Sequence, residues 1–321
     1  MSKNPRFRPT PRVIEIVLFP DFQILDAAGP IAAFEIAARF APGAYRVKTS
    51  AARAGLAPSS AGVPMPAAAL SARSRVDTLI VVGGQGTAAA MNDAMLLKAL
   101  RRAPKRARRI ASVCTGAFVL AAAGLLEGKT CTTHWRQAPA LARLFPDVRV
   151  EADRIHVQDG AVWTSAGVTA GIDLALAMIE ADLGADIAAE VAREMVVYAK
   201  RPGGQAQHSA LLELESARFA DLNAWMRTHL GADLSVETLA ARAAMSPRNF
   251  ARAYATETGV TPAKAVERLR VDAARAALAR GGAIQEIARR TGFGDPERMR
   301  RAFIRVYGAP PAALRRTLRS P

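Results

Sequence analysis

The chain has 321 residues, half of them hydrophobic, and a formal net charge of +16 at pH 7. That length suits two domains with sizeable cores, and the basic excess points to a polyanionic partner. Two cysteines exclude a disulfide scaffold. With no signal peptide and no apolar run of membrane-spanning length, the expectation is a cytoplasmic protein that does not engage a membrane.

Residues 12–200 alternate short apolar runs with amphipathic stretches. Strands are predicted at 13–19, 45–49, 78–82, 110–113 and 162–165, and helices at 31–39, 93–102, 116–123, 138–144 and 170–181. This alternation predicts a three-layer α/β domain with a mostly parallel sheet. A last helix, about 186–200, closes it. The Pro- and Gly-containing segment from Arg201 to His208 then breaks the pattern, so 201–218 is the expected linker to a second domain at 219–321, with a connecting helix near 209–230.

The chemistry of the first domain centres on Cys114. It follows the apolar strand 110–113 and precedes a helix opened by Thr115-Gly116. A strand–nucleophile–helix turn projects its side chain from a sharp bend. A thiol at a helix N-terminus is expected to ionise easily, because the helix end favours the thiolate. Asp26 lies after the first strand, and Gly83-Gly84-Gln85-Gly86 after a later one, where its amides offer donors to an anion. In an open α/β sheet all three collect at the carboxyl ends of the strands. His134, in Thr132-Thr133-His134-Trp135, reads two ways: it orients Cys114 or lines the pocket, or it caps a helix. Cys131 reads as a buried apolar residue. No Cys or His spacing suits a metal, and the glycine turn lacks the length and lysine of a phosphate loop, so no cofactor is expected.

The second domain is basic: residues 219–321 carry 18 lysines and arginines against 9 acids. It also repeats itself at a spacing of 48 to 49 residues. Leu239-Ala240 recurs as Ile287-Ala288, Met245 as Phe293, Ser246-Pro247 as Asp295-Pro296, Phe250 and Tyr254 as Met299 and Phe303, and Gly259 and Pro262 as Gly308 and Pro311. Each copy reads as a helix-turn-helix. Ser246 or Asp295 is the N-cap of its second helix, with proline at the first helical position. The outward residues are Arg248, Asn249 and Arg252 in one copy, and Glu297, Arg298, Arg300 and Arg301 in the other. Such positions meet base edges and phosphates in the major groove. A continuous helix over 262–279, ~27 Å long, would separate the two readers by about one DNA turn. The competing reading is a helical bundle with solvated arginines.

Residues 234–318 resemble the DNA-binding domain of AraC/XylS-type regulators, on Ile287-Ala288-Arg289-Arg290-Thr291-Gly292-Phe293, Phe303, Tyr307-Gly308 and Pro311. Met299 stands where that family usually has an aromatic. Residues 12–200 resemble the ThiJ/PfpI superfamily, with its class I glutamine amidotransferase-like fold. The carrying pieces are Leu25 to Pro30, Ser112 to Gly116, Thr132 to Trp135 and Ser165 to Gly171, and the segment Arg201 to Gln207 looks like the linker in GlxA-type fusions of the two domains. The resemblance implies a transcription regulator rather than an enzyme. It would act on double-stranded promoter DNA as a homodimer, with a small-molecule effector at Asp26, Gly84, Cys114, Thr115 and His134. Hydrolytic members place a histidine at the nucleophile, whereas Thr115 follows it here. The pattern is closer to isocyanide hydratases, whose Asp, Cys and following Thr correspond to Asp26, Cys114 and Thr115. The alternative is therefore a cysteine-dependent hydratase or lyase with an accessory DNA-binding domain.

Overall fold

The computed structural model describes residues 10–71, 74–152, 154–197, 203, 207, 217–279, 281–307 and 310–312. The chain divides into two compact units, Met1–Gln207 and His208–Ser320.

In the first unit, β1 (Arg12–Val17), β2 (Tyr45–Ala51), β3 (Gly55–Pro58), β4 (Pro64–Ala69), β5 (Val76–Val81), β6 (Ala107–Val113), β9 (His156–Asp159) and β10 (Val162–Ser165) form one sheet in the order β3-β4-β2-β1-β5-β6-β10-β9. A separate ladder joins β7 (Thr130–Cys131) to β8 (Arg149–Val150). The central pairs β2–β1, β1–β5, β5–β6 and β6–β10 are parallel. Their residues Ile14, Ile16, Val17, Leu79, Ile80, Val81, Ala111 and Val113 are fully buried. Such near-continuous apolar strands are required where helices cover both faces of a sheet.

The helices are α1 (Ile24–Phe40), α2 (Thr87–Ala90), α3 (Ala94–Leu100), α4 (Gly116–Ala122), α5 (Ala138–Leu144), α6 (Ala170–Leu183) and α7 (Ala185–Glu194). The chain leaves β1 for β2 in one direction and β5 for β6 in the other. Right-handed crossovers therefore put α1 on one face and α3 on the opposite one. The strand order reverses beside β1, which opens a crevice at the carboxyl ends of β1, β5, β6 and β10.

Four local features depart from expectation. α1 starts at Ile24 rather than 31, so Asp26 lies in its first turn and Pro30 inside it; Gln23 caps it, its side chain accepting from the Leu25 amide at 3.3 Å. β3 and β4 form an edge hairpin whose Pro58, Pro64 and Pro66 hid it from strand patterning, since proline is tolerated only where ladder donors are dispensable. β9 pairs antiparallel with β10 at the other edge. α7 ends at Glu194, because Val196 turns the chain at φ 54°; residues 198–200 of the predicted helix lie outside those described.

The second unit contains α8 (Ala220–Thr228), α9 (Val236–Arg242), α10 (Pro247–Thr258), α11 (Pro262–Ala279), α12 (Ile284–Arg290) and α13 (Pro296–Tyr307). Only the C-terminal part of the expected connecting helix appears, as α8; 208–216 lie outside the described residues. The sequence repeat becomes two small cores. One gathers Phe219, Met226, Leu239, Ala240, Phe250 and Tyr254, the other Ile287, Ala288, Phe293, Met299 and Phe303. The helix α11 serves both: Ala265, Val266 and Leu269 enter the first core, and Val271, Ala274 and Leu278 the second. A helix locked at each end by buried apolar contacts is a stiff spacer rather than a tether.

Candidate functional site

The sharp turn after β6 holds Cys114 at φ 56°, a left-handed conformation costing a non-glycine residue ~1–2 kcal/mol. Its amide donates to the Ser165 and Ala166 carbonyls, each at 3.1 Å, and its carbonyl accepts from the Thr133 hydroxyl at 2.7 Å. Backbone crowding makes the glycines around it obligatory. A Cβ at Gly83 would lie 2.5 Å from the Thr115 nitrogen, and one at Gly116 would lie 2.3 Å from the Val81 carbonyl oxygen.

Asp26, Gly84, Cys114 and Thr115 come together, and the ring edge of His134 reaches them. Asp26 is fully buried, and its two oxygens accept from the Gly83 amide at 3.0 Å and the Val168 amide at 3.1 Å. The Cys114 thiol and this carboxyl are close enough to shift one another's titration. Val168 is held at φ 55°, strained for a β-branched residue. The Thr115 hydroxyl accepts from the Gly84 amide at 3.0 Å and shares a 2.7 Å hydrogen bond with the Thr87 hydroxyl. A Cβ on Gly167 would lie 3.2 Å from the Cys114 Sγ and 2.3 Å from the His134 Cδ2, so thiol, imidazole edge and bare glycine pack closely together.

Two expectations need correction, and a third is decided. The thiol does not ionise easily: burial first, and then the Asp26 charge, push Cys114 up to about 12, overriding the Thr115 hydrogen bonds that favour the thiolate. Gly84 offers no spare donor to an anion, because its amide is spent on Thr115, as that of Gly83 is on Asp26. Of the two readings of His134 the cap is seen: it caps the short turn Trp135–Gln137, its Nδ1 accepting from the Arg136 amide at 3.3 Å, with its ring edge against Gly167. Burial outweighs the amide hydrogen bonds and the neighbouring thiol at Asp26 and raises it to about 7. The pair is thus a neutral thiol beside a carboxyl that changes charge near neutrality. Cys131 is also buried and also pushed up to about 12. Cys114 retains slight exposure and Cys131 none, so iodoacetamide is expected to modify Cys114 first, with both thiols slow at pH 7. Peptide mapping that finds Cys131 labelled earlier would contradict this geometry.

Sequence reasoning placed Ser165 to Gly171 in a motif without giving Val168 and Gly167 a role. It missed Thr87, a lone threonine in an alanine run with no signal to mark it.

In the second unit every residue expected to face DNA is exposed: Arg248, Asn249, Arg252, Glu297, Arg298, Arg300 and Arg301. Their side chains are not equally available. Arg300 grips Glu297 through two hydrogen bonds of 2.7 and 2.8 Å, and Arg252 donates to Asn249 at 3.1 Å. Among the described residues, no ion pair or hydrogen bond engages the guanidinium of Arg248, Arg298 or Arg301. Arg298 and Arg301 line a cleft of about 400 Å³ with Arg270 and Arg305, where Glu267 is the acid. Arg270 is structural, donating to the Leu230 and Ala232 carbonyls at 3.0 and 3.1 Å. The two turns differ chemically. Asp295 caps α13 by accepting from the Arg298 amide at 3.1 Å, whereas Ser246 is the N-cap of α10, as expected, in the extended cap conformation but without a side-chain capping bond.

A parallel-sheet domain with a cysteine elbow, followed by paired helix-turn-helix units, defines a two-part protein: a small-site domain and a nucleic-acid reader. Residues 12–181 match the DJ-1/PfpI family, and residues 239–317 match a helix-turn-helix domain. The chain belongs to the DJ-1/PfpI family. It is 33% identical over 251 residues to the HTH-type transcriptional regulator Rv1931c of Mycobacterium tuberculosis, covering 75% of this chain and 95% of that one. It is 37% identical over 161 residues to the isonitrile hydratase of Pseudomonas putida, covering 49% of this chain and 66% of the hydratase. A ThiJ/PfpI family protein from Pseudomonas syringae of known structure matches with a TM-score of 0.53 at 30% identity, over 60% of this chain and 77% of that one.

Proposed function

We propose that this DNA-binding regulator of the helix-turn-helix type is switched by a small molecule that binds beside Cys114. The observation that carries the first half is the pair of cores on one shared helix, each presenting exposed arginines. The second half is supported by the buried Asp26–Cys114 pair at the strand ends, where a ligand finds a thiol, a carboxyl titrating near neutrality and an imidazole edge. An occupant shifts the balance of DNA-competent arrangements only if it binds them unequally. A homodimer on two half-sites belongs to the same proposal. Selection from a pool of random duplexes by the full-length protein at physiological salt tests it. Enrichment of one motif is expected, and a pool that stays random would contradict it.

One observation favours a second reading. Asp26 is buried close to the Cys114 thiol and is raised by that burial to about 7, which suits a group that takes and returns a proton. The chain is similar to an isonitrile hydratase over 161 residues, and both residues lie in the part that matches the DJ-1/PfpI family. In that reading the thiol adds to an isocyanide carbon, Asp26 passing the thiol proton to the substrate to give a thioimidate; water then adds to the same carbon and the C–S bond breaks, releasing the formamide and the free thiol. If regulation is the role, wild-type protein turns over isocyanides no faster than Cys114→Ser. Turnover that disappears only in the variant would establish catalysis.

A further inference from the structure

We infer that Gly203 and Gln207 form a clasp that reports occupancy at Cys114 to the segment leading toward the DNA-binding unit; this rests on the effector-site reading above. Neither residue belongs to the sheet or its helices, yet both are bound tightly into the first unit. The Gln207 side-chain NH2 lies within hydrogen-bond distance of the Thr133, Ala152 and Arg154 carbonyls, at 2.7, 2.9 and 3.1 Å, and of the Thr132 hydroxyl at 3.3 Å. Its carbonyl accepts from the Trp135 amide at 2.9 Å. One amide thus satisfies both directions of the loop that carries His134. The Gly203 carbonyl accepts from the Ile155 amide at 3.0 Å. A Cβ there would lie 2.6 Å from the His156 carbonyl oxygen and 2.8 Å from its ring, so only glycine fits.

Both anchors trace back to the Cys114 peptide in few steps. On one route the Cys114 carbonyl accepts from the Thr133 hydroxyl, and the Thr133 carbonyl accepts from Gln207. On the other the Cys114 amide donates to the Ala166 carbonyl, the Ala166 amide donates to the Ile155 carbonyl at 2.8 Å, and the Ile155 amide donates to Gly203. Thr133, Ile155 and Ala166 are buried, so a lost bond on either route is not replaced by water. The routes begin where an occupant must push. The His134 ring and Gly167 pack closely beside Sγ, so any group added there must displace one of them. His134 precedes Trp135, whose amide Gln207 holds, and Gly167 follows Ala166. An occupant that moves either wall strains the clasp.

The alternative is a static staple that fixes the linker whatever the pocket contains. Spatial linkage alone does not separate the two, and a response does. The experiment uses full-length protein in a Cys131→Ala background, with Cys114 carbamidomethylated by iodoacetamide as a covalent occupant, and hydrogen exchange read by mass spectrometry. Labelling is expected to speed exchange ~10-fold or more in the peptides containing Trp135, Ile155 and residues 203–207. In Gln207→Glu, whose carboxylate faces three carbonyls, the same peptides should exchange fast before labelling and change little after it. Gly203→Ala gives an independent second variant, and circular dichroism confirms that each folds. Unchanged exchange at 203–207 in labelled wild type would overturn the clasp, as would an undiminished response in both variants. Affinity for a selected duplex, measured on the unlabelled protein, reports separately on the regulator reading.

Discussion

Replacing Asp26 with asparagine is expected to destabilise the first unit at pH 5 and to leave a gap from wild type that closes as the pH rises. The carboxylate oxygens each accept from a buried backbone amide, Gly83 at 3.0 Å and Val168 at 3.1 Å. Asparagine offers one acceptor and turns an NH2 toward the other amide, leaving a buried donor unpaired at a cost of ~1–3 kcal/mol. The pH dependence follows from the raised pKa. Burial lifts Asp26 from 3.8 to about 7. Between those values the folded chain holds a proton that the unfolded chain releases. The stabilisation relative to the ionised state is therefore complete below the unfolded value and lost as the pH climbs through the folded one. From pH 5 to 8 wild type should lose ~2–3 kcal/mol relative to the variant, which carries no charge there. Cys114 titrates above this window and does not mask the trend. Urea unfolding of both proteins at pH 5 and 8 measures the effect. A gap that stays constant, or widens with pH, would mean that Asp26 is ionised throughout.

Arg301→Ala should weaken binding to the selected duplex by ~1–3 kcal/mol and relax preference at one position, as expected for an arginine that reads a base. The structure ranks the arginines of α13. Arg301 and Arg298 are exposed and border the basic cleft, whereas the Arg300 guanidinium is already held by Glu297. Arg300→Ala should therefore cost less than Arg301→Ala, because Arg300 must first give up its carboxylate partner. If Arg301 meets only phosphate, the loss will instead be uniform across sequences and the salt dependence will drop by about one charge. Equal affinity of wild type and Arg301→Ala would remove this residue from the interface.

Much of this was legible because the pattern had only one structural solution. The apolar runs 13–19, 78–82 and 110–113 can be satisfied only by burial on both faces, and they became β1, β5 and β6. The repeated Leu239-Ala240 and Ile287-Ala288 pairs, with Phe250, Tyr254, Met299 and Phe303, are buried in matching cores because one packing solution is used twice. What stayed hidden depended on long-range context. Nothing local to Ser112-Val113-Cys114 says that Asp26, 88 positions earlier, presses its charge against the thiol, so helix-end chemistry suggested a thiolate where burial enforces a thiol. The amides of Gly83 and Gly84 looked free until Asp26 and Thr115 were seen to use them. Gln207 sat in a segment read as a linker, and its contacts with Thr133 and Trp135 span more than 70 positions.

The most direct test of the account is a hydroxyl-radical footprint of the full-length protein on its selected duplex. A stiff α11 shared by two arginine-bearing cores predicts two protected segments on one face of the DNA, with centres ~10–10.5 base pairs apart for each bound chain. Arg248→Ala should weaken protection of one of them and Arg301→Ala of the other. A single protected segment unaffected by either substitution, or no retained complex at physiological salt, would contradict it.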